Sequence, residues 1–145
     1  MSESARKRKP LIYLASAYSY TPAQGYADAL RVTAALIRAG HHVVSPIVHS
    51  HALVQADRLR AMQARRESIG SDWETWRDLD MALLERCDVL MVFADHEGHY
   101  KRSVGVQAEI GHAFRRGLAL RTLYPETVEE MEREWQADQP AKPHA

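Results

Sequence analysis

Residues 89–113 read Val89-Leu90-Met91-Val92-Phe93, then a polar loop, then Ser103-Val104-Gly105-Val106-Gln107-Ala108-Glu109-Ile110-Gly111-His112-Ala113. The apolar run predicts a buried strand, and the second run predicts a helix that a serine caps and small residues open. A strand, a polar loop and a helix in this order form the βα unit beside which open α/β sheets bind ligands. We therefore expect Glu109, on the flank of the buried face of that helix, to border a crevice.

The same alternation of strand and helix runs through the rest of the chain. Strands are predicted at residues 11–15, 42–45, 88–93 and 118–123, and Arg121 indicates that the last one lies at an edge. Helices are predicted from about 22 to Gly40, at 52–66, 72–86 and 103–117, and from Pro125 on. This order predicts an α/β fold, a three-layer α/β/α sandwich of Rossmann or flavodoxin type around a parallel sheet of four to five strands.

Two of the predicted helices carry apolar residues at helical spacing, and we expect these residues to form their buried faces. They are Tyr26, Leu30, Ala34 and Ile37 in the first helix, and Leu53, Ala56, Leu59 and Met62 in the second. Residues 47–51, just before the second helix, are predicted to be the loop that leaves the second strand.

Composition bounds the class of protein. The chain has 145 residues, and its 19 basic and 19 acidic residues give no net charge, which argues against binding nucleic acid through phosphates. We expect one domain at 10–138, between a disordered basic tail at 1–9 and a disordered tail at 139–145. The single cysteine, Cys87, excludes an intramolecular disulfide and fits a reducing compartment. No apolar run reaches membrane-spanning length, so we expect a cytoplasmic protein that binds no membrane.

Two acids approach the predicted ligand edge from different helices. Asp80 falls on the apolar face of its helix, where an unpaired carboxylate is costly, and Glu109 comes from the helix quoted above. Tyr13, on the first strand, is within reach of one of them. Such a pair suits displacement at a sugar carbon, with one carboxylate as nucleophile and one carboxylic acid as proton donor. The alternative is structural, with Asp80 capping a neighbouring backbone and Glu109 in a solvent-exposed ion pair.

Several further residues are candidates for ligand binding. Ser103 and Gly105 lie at a helix N-terminus, which binds anions, although a serine cap is also an ordinary helix start. Trp73 and Trp76 suit a flat wall for a base, although tryptophans are more often core residues. His49 and His51, with His96 and His99 on another loop, raise the question of a metal. We favour hydrogen bonds from His49 and His51 to a sugar or phosphate, and no metal or other cofactor.

These residues resemble the nucleoside 2-deoxyribosyltransferase superfamily, and within it the short 2′-deoxynucleoside 5′-phosphate N-hydrolases. The stretches that carry the likeness are residues 11–16 around Tyr13, residues 80–88 from Asp80, and residues 103–113. The chain is also similar to a small bacterial and phage subfamily of uncharacterised function that carries the stretches at 45–51 and 73–76.

The resemblance implies cleavage of the N-glycosidic bond of a nucleoside 5′-monophosphate or related nucleoside. Glu109 then takes the role of the nucleophile that forms a glycosyl-enzyme intermediate, Asp80 protonates the leaving base, and Tyr13 orients Glu109. Ser103 and Gly105 match positions that hold the 5′-phosphate, and Ser16 belongs to the matched first-strand stretch. We expect the Glu109→Ala variant to keep its fold and to lose base release.

The family resemblance leaves two alternatives and one expectation about assembly. A transferase that moves the sugar to a second base is one alternative, and a module that binds or senses nucleotides without cutting them is the other. Members commonly complete the site with a neighbouring subunit, so the resemblance implies a homodimer or a higher homo-oligomer. Two differences from the hydrolases limit how far their phosphate and base recognition applies to this chain. Residues 16–20 lack the glycines of the hydrolases, and the loop at 95–102 is longer than theirs.

Overall fold

The computed structural model describes residues 8–18 and 21–141, and it contains one parallel sheet. The strands are β1 (Leu11–Ala15), β2 (His42–Val44), β3 (Val89–Phe93) and β4 (Ala119–Leu123). Their order across the sheet is β2-β1-β3-β4, and all three pairings are parallel. This order places β4 at an edge, as Arg121 predicted. The outer parts of the predicted tails, residues 1–7 and 142–145, lie outside the described residues.

Five α-helices accompany the strands in the described part of the chain. They are α1 (Pro22–Arg38), α2 (Pro46–Ala64), α3 (Trp73–Glu85), α4 (Val104–Arg116) and α5 (Pro125–Asp138). A short 3₁₀ turn, His99–Lys101, lies between β3 and α4. The predicted three-layer α/β/α sandwich is confirmed.

Two apolar clusters lie on opposite faces of the sheet because successive residues of a strand point to opposite sides. On one face Tyr13 and Leu90 pack with Leu84 of α3 and Val106 of α4. On the other face Leu14 packs with residues of α1 and α5, including Leu36 and Val128. Tyr13 is fully buried, so its phenol belongs to the core and to the ligand edge at once.

The predicted start of the second helix is wrong. Residues 47–51 were expected in a loop, but α2 begins at Pro46, and the Ser45 hydroxyl caps it by accepting the Val48 N–H at 3.3 Å. Proline ends β2 and is also favourable at the first helical position, so one residue serves both purposes. His49 and His51 therefore lie on the first two turns of a helix.

The predicted buried faces of α1 and α2 are also wrong in part. In α1 the buried residues are Gly25, Ala29, Val32, Ala35 and Leu36, while Leu30 and Ile37 are exposed. In α2 the exposed residues include Leu53, Leu59 and Met62, and the buried ones are Pro46, Val54 and Ala61. The buried side of each helix includes small residues, Ala29 and Ala35 in α1 and Ala61 in α2, and these allow close packing.

Within residues 8–18 and 21–141, no helix has both the length and the apolar character needed to cross a lipid bilayer.

Candidate functional site

A cavity with about 60 Å³ of space for the centres of water-sized molecules opens at the carboxyl end of β1. Its floor includes Leu14, Ala15 and Ser16, at the end of that strand. Its walls come from the first turns of three helices, α2, α3 and α4. The cavity therefore lies at the edge of the sheet where the parallel topology predicts a ligand site.

The three helices point their N-terminal ends at this cavity. Each is capped by a side-chain oxygen: Ser45 accepts from Val48, Asp72 from Thr75, and Ser103 from Val106. A cap satisfies one backbone N–H group, and the remaining first-turn groups and the helix dipole leave positive potential at the helix end. The Asp72 carboxylate offsets this potential at α3, whereas the caps of α2 and α4 are neutral serines. The ends of α2 and α4 therefore favour an anionic group in the ligand, at a part of the cavity away from its carboxylates.

Glu109 lies on α4 and lines the cavity from its buried side. Only 6% of Glu109 is exposed, and the Tyr13 hydroxyl donates a hydrogen bond to its Oε2. The predicted contact between β1 and one of the two acids is therefore confirmed. The burial of Glu109 excludes the solvent-exposed ion pair that was the alternative interpretation.

Asp80 lines the same cavity from α3 and is 8% exposed. Among the described residues no hydrogen bond to its carboxyl group is found, so it does not serve as a backbone cap. A buried carboxyl group without a hydrogen-bond partner is expensive for folding, and binding or catalysis is a common reason for keeping one. Asp80 and Glu109 therefore come from separate helices to one cavity.

The two carboxyl groups differ in proton affinity. Burial raises the pKa of Asp80 to about 6. Burial also raises the pKa of Glu109, the hydrogen bond from Tyr13 lowers it, and the charge of Asp80 raises it further, with a net value of about 8. Burial and the nearby charge of Glu109 raise the pKa of Tyr13, so its hydroxyl remains a donor. Near neutral pH the pair holds about one proton, which resides mainly on Glu109 in the free protein.

This proton predicts how stability depends on pH in the Glu109→Gln variant. The pKa of Glu109 rises on folding from 4.5 to about 8, so the native state binds the proton more tightly. The free energy of unfolding of the native protein then falls as pH rises from 4.5 to 8. Glutamine keeps the acceptor for Tyr13 and does not ionise. Chemical denaturation should therefore find the variant more stable at pH 8.5 by about 2 kcal/mol or more, relative to any difference at pH 4.5.

The matched control for stability is Glu129→Gln, which changes an exposed glutamate on α5. It should give no pH-dependent difference from the native protein. A Glu109→Gln effect that is constant between pH 4.5 and 8.5 contradicts the raised pKa.

The predicted phosphate residues and one tryptophan lie together. Ser103, Gly105 and Trp73 line the cavity, as does Ser16. A Cβ atom on Gly105 would come 3.1 Å from Cε3 of Trp73, so the absence of a side chain lets the indole pack against the start of α4. Ser16 is 6% exposed, and its hydroxyl has no hydrogen-bond partner among the described residues. These residues therefore offer a flat wall and an unpaired polar atom to a ligand.

Trp76 lines the cavity as a buried structural residue. Its indole nitrogen donates to the Gly70 carbonyl oxygen at 2.8 Å, which fixes the ring. His49 does not line the cavity, and its ring lies edge-on to Trp76 with 6.2 Å between ring centroids. His49 is therefore behind a wall of the site and not at its surface.

His51 also does not line the cavity. Its Nδ1 lies 2.7 Å from the hydroxyl oxygen of Tyr18, and Tyr18 does line the cavity. Tyr18 was not among the predicted site residues, and neither were the other lining residues Pro46, Ile47, Ser50, Ser71 and Asp72. The serine and proline at 45–46 are a helix-start signal that would have placed Pro46, Ile47 and Ser50 at the ligand edge.

The predicted histidine groups do not form one metal site. Within the described residues, the cluster with suitably close ligand atoms is Asp95, Glu97 and His99, and His49 and His51 are not in it. His99 Nδ1 lies 3.5 Å from Asp95 and 3.4 Å from Glu97, while the Asp95 carboxylate accepts the N–H groups of His99 and Tyr100. Ion pairing and turn capping account for this arrangement.

Comparison with known families places the chain in one of them. Residues 10–124 match the family described as a domain of unknown function, DUF1937, and this range includes Tyr13, Asp80 and Glu109. No curated protein matches the chain at a significant level. Because the family match spans well over half of the 145 residues, the chain belongs to the DUF1937 family.

Proposed function

We propose that the protein is a hydrolase that cleaves the N-glycosidic bond of a nucleoside 5′-monophosphate, or a related nucleoside, through a covalent intermediate on Glu109. The observation that carries the proposal is the pair of buried carboxyl groups, Asp80 and Glu109, in one cavity, with Tyr13 bonded to Glu109. The resemblance of residues 11–16, 80–88 and 103–113 to deoxyribosyltransferases and N-hydrolases supports the same chemistry.

The reaction divides into two displacements at C1′ of the sugar. In the first, an ionised Glu109 oxygen attacks C1′, the bond from C1′ to the base nitrogen breaks, and Asp80 gives its proton to the base. In the second, Asp80 takes a proton from water, the water oxygen attacks C1′, and the bond to Glu109 breaks. The products are a free base and a sugar phosphate, and both carboxyl groups return to their starting states.

Tyr13 positions the nucleophile in this scheme. Its hydroxyl donates to one oxygen of Glu109, which holds the carboxylate in one orientation and stabilises the charged form. In the free protein the proton resides mainly on Glu109, so the reactive arrangement, with the proton on Asp80, is the minor one.

An anionic substrate is supported by the two helix N-termini at the cavity that have neutral serine caps, those of α2 and α4. Ser103 caps α4, and Gly105 lies in its first turn. Glu109 lies in the second turn of the same helix. A phosphate bound at the first turn stays apart from the carboxylates and places the sugar between them. We therefore favour a nucleotide over a nucleoside as substrate.

The pair of carboxyl groups predicts a bell-shaped dependence of kcat/KM on pH. Turnover needs one proton on the pair, because the nucleophile must be ionised and the acid must be protonated. Below about pH 6 both groups are protonated, and above about pH 8 both are ionised, so the rate should fall on both sides. Initial rates of base release from pH 4.5 to 9.5 measure this profile. A rate that keeps rising through pH 9.5 contradicts the one-proton requirement.

A non-catalytic nucleotide-binding module is the second candidate function. The observation that favours it is the raised pKa of Glu109, about 8, which keeps the group mostly protonated near neutral pH. A protonated carboxyl group donates a hydrogen bond and does not attack carbon. Calorimetry that finds tight binding of an intact nucleotide, with no product after long incubation, decides for this candidate.

The experiment that tests the proposed function is a screen of ribo- and deoxyribonucleoside 5′-monophosphates, and the matching nucleosides, for release of free base on a chromatograph. Release in at least one case supports hydrolysis. Addition of a second free base then distinguishes hydrolysis from transfer, because a transferase forms an exchanged nucleoside or nucleotide. Failure of every compound to release base refutes the proposal.

We also propose that the protein is a homo-oligomer, as its deoxyribosyltransferase-like sequence implies. Two exposed apolar side chains on α4 support contact with a second copy: Val104, at the cavity end of the helix, is 69% exposed, and Phe114, near its other end, is 84% exposed. Light scattering coupled to size exclusion measures the mass directly. A monomer at working concentration refutes this part of the proposal.

A further inference from the structure

Tyr18 lies in the segment that follows β1, and both its hydroxyl and its backbone are held in place by other residues. Its hydroxyl oxygen is 2.7 Å from Nδ1 of His51 on α2, and the two rings meet edge to face with 5.5 Å between centroids. The His51 ring also stacks on the ring of Tyr26 of α1, with 4.0 Å between ring centroids and an interplanar angle of 19°. His51 is therefore fixed between two aromatic side chains.

The backbone of Tyr18 is fixed by a glycine on α1. A Cβ atom on Gly25 would lie 2.7 Å from the Ala17 carbonyl oxygen and 3.0 Å from Cα of Tyr18. These distances leave no room for a side chain, so the loop after β1 packs directly against the helix. Tyr18 is thus attached to α1 through its backbone and to α2 through its hydroxyl.

We propose that Tyr18 is a substrate-contacting wall of the cavity and that His51 is a positioning residue that holds it there. Tyr18 lines the cavity whereas His51 does not, and the hydroxyl is engaged by His51. The ring of Tyr18 therefore contacts the substrate by packing, and His51 acts through Tyr18. The proposal rests on the proposed function and extends it, because it assigns substrate binding to a wall separate from Asp80 and Glu109.

The test is a set of variants in which the hydroxyl of Tyr18 and its partner His51 are changed separately. Tyr18→Phe removes the hydroxyl, and His51→Leu removes the acceptor. His51→Asn keeps an acceptor, because the Asn Oδ1 atom stands at the same place along the side chain as His Nδ1. We expect KM to rise about fivefold in Tyr18→Phe and in His51→Leu, the effect of one hydrogen bond, with kcat within twofold. His51→Asn should restore most of the lost affinity.

A double variant tests whether the two residues act as one unit. Tyr18→Phe combined with His51→Leu should raise KM no further than either single change. Control variants are His42→Asn, at the start of β2 and away from the cavity, and Tyr124→Phe, an exposed tyrosine that does not line it. Both should leave KM unchanged. Additive effects, or a loss in kcat with KM unchanged, overturn the proposal.

A measurement that needs no turnover separates this proposal from the proposed function. ¹⁹F NMR of 3-fluorotyrosine at position 18 reports the surroundings of the ring. The signal should move further in His51→Leu than in His51→Asn, because both variants lose the imidazole ring but only asparagine keeps a hydrogen-bond partner for the hydroxyl. If no nucleotide releases base but the signal responds in this way, the proposed function fails and the positioning by His51 stands. If the signal does not move in His51→Leu, the positioning role of His51 is refuted, whatever the activity of the protein.

Discussion

Replacing Glu109 by glutamine is expected to lower base release by about 10⁴-fold or more, because a neutral amide does not form the glycosyl ester. Glutamine has the size of glutamate and offers Tyr13 the same acceptor oxygen, so the core should keep its packing. The measurement is initial-rate chromatography of free base for the native and variant proteins, with circular dichroism of both.

A second substitution tests the nucleophile role itself. Glu109→Ala leaves a space in which added formate or azide has access to C1′, so either anion should restore part of the turnover, and azide should yield a glycosyl azide. This variant was predicted from the sequence to keep its fold. Because Glu109 is 6% exposed and hydrogen-bonded to a core tyrosine, we now expect it to lose some stability. Glu129→Gln is again the control and should retain full activity. Unchanged turnover in Glu109→Gln contradicts the mechanism.

The meeting of Asp80, Glu109 and Tyr13 was predictable because it follows from topology. Parallel strands joined by right-handed crossovers bring all strand exits to one edge, and the first turns of helices that follow a strand, such as α4, lie there. Asp80 lies midway along α3, which follows another helix, so its expected place rested on its position on an apolar face. An acid on an apolar face, such as Asp80, signals a site before any contact is known. The depth of burial of Glu109 was not predictable, since it depends on how closely α4 packs against β1 and β3.

The contact between Tyr18 and His51 was not predictable from the sequence. It needs the start of α2 to lie beside the start of α1, and that placement depends on the close packing at Gly25. Periodicity also failed to select the buried face of α2, because both of its sides carry apolar residues at helical spacing. Leu59 and Met62 were expected inside and are exposed, whereas Val54 and Ala61 are buried. Which face is covered is decided by the neighbouring helix, not by the helix itself.

Replacing Asp80 by asparagine should lower base release by about 10²- to 10⁴-fold, the range of a lost general acid. Asparagine is nearly the same size but gives no proton to the base. The descending limb of the pH profile should also disappear, because that limb reports ionisation of the acid. The ascending limb of the native protein reports the first ionisation of the pair, which comes mainly from Asp80, whereas in the variant it reports Glu109 alone. It should therefore move to higher pH, although loss of the Asp80 charge lowers the pKa of Glu109. Rates of base release between pH 4.5 and 9.5 measure all three effects.

The matched control for Asp80 is Asp78→Asn, two residues earlier on the same helix, whose side chain is 94% exposed. It should leave rate and profile unchanged, since solvent surrounds that carboxylate. The proton-donor role also predicts how the Asp80→Asn variant acts on a substrate whose leaving group needs no proton. A sugar phosphate that carries p-nitrophenolate at C1′ has a leaving group that needs no proton. In the first turnover, before Asp80 is needed as the base for water, the variant should therefore release p-nitrophenolate almost as fast as the native protein. An equal loss on both kinds of substrate would mean that Asp80 acts through binding or folding, and the assignment of the acid would then pass to another group.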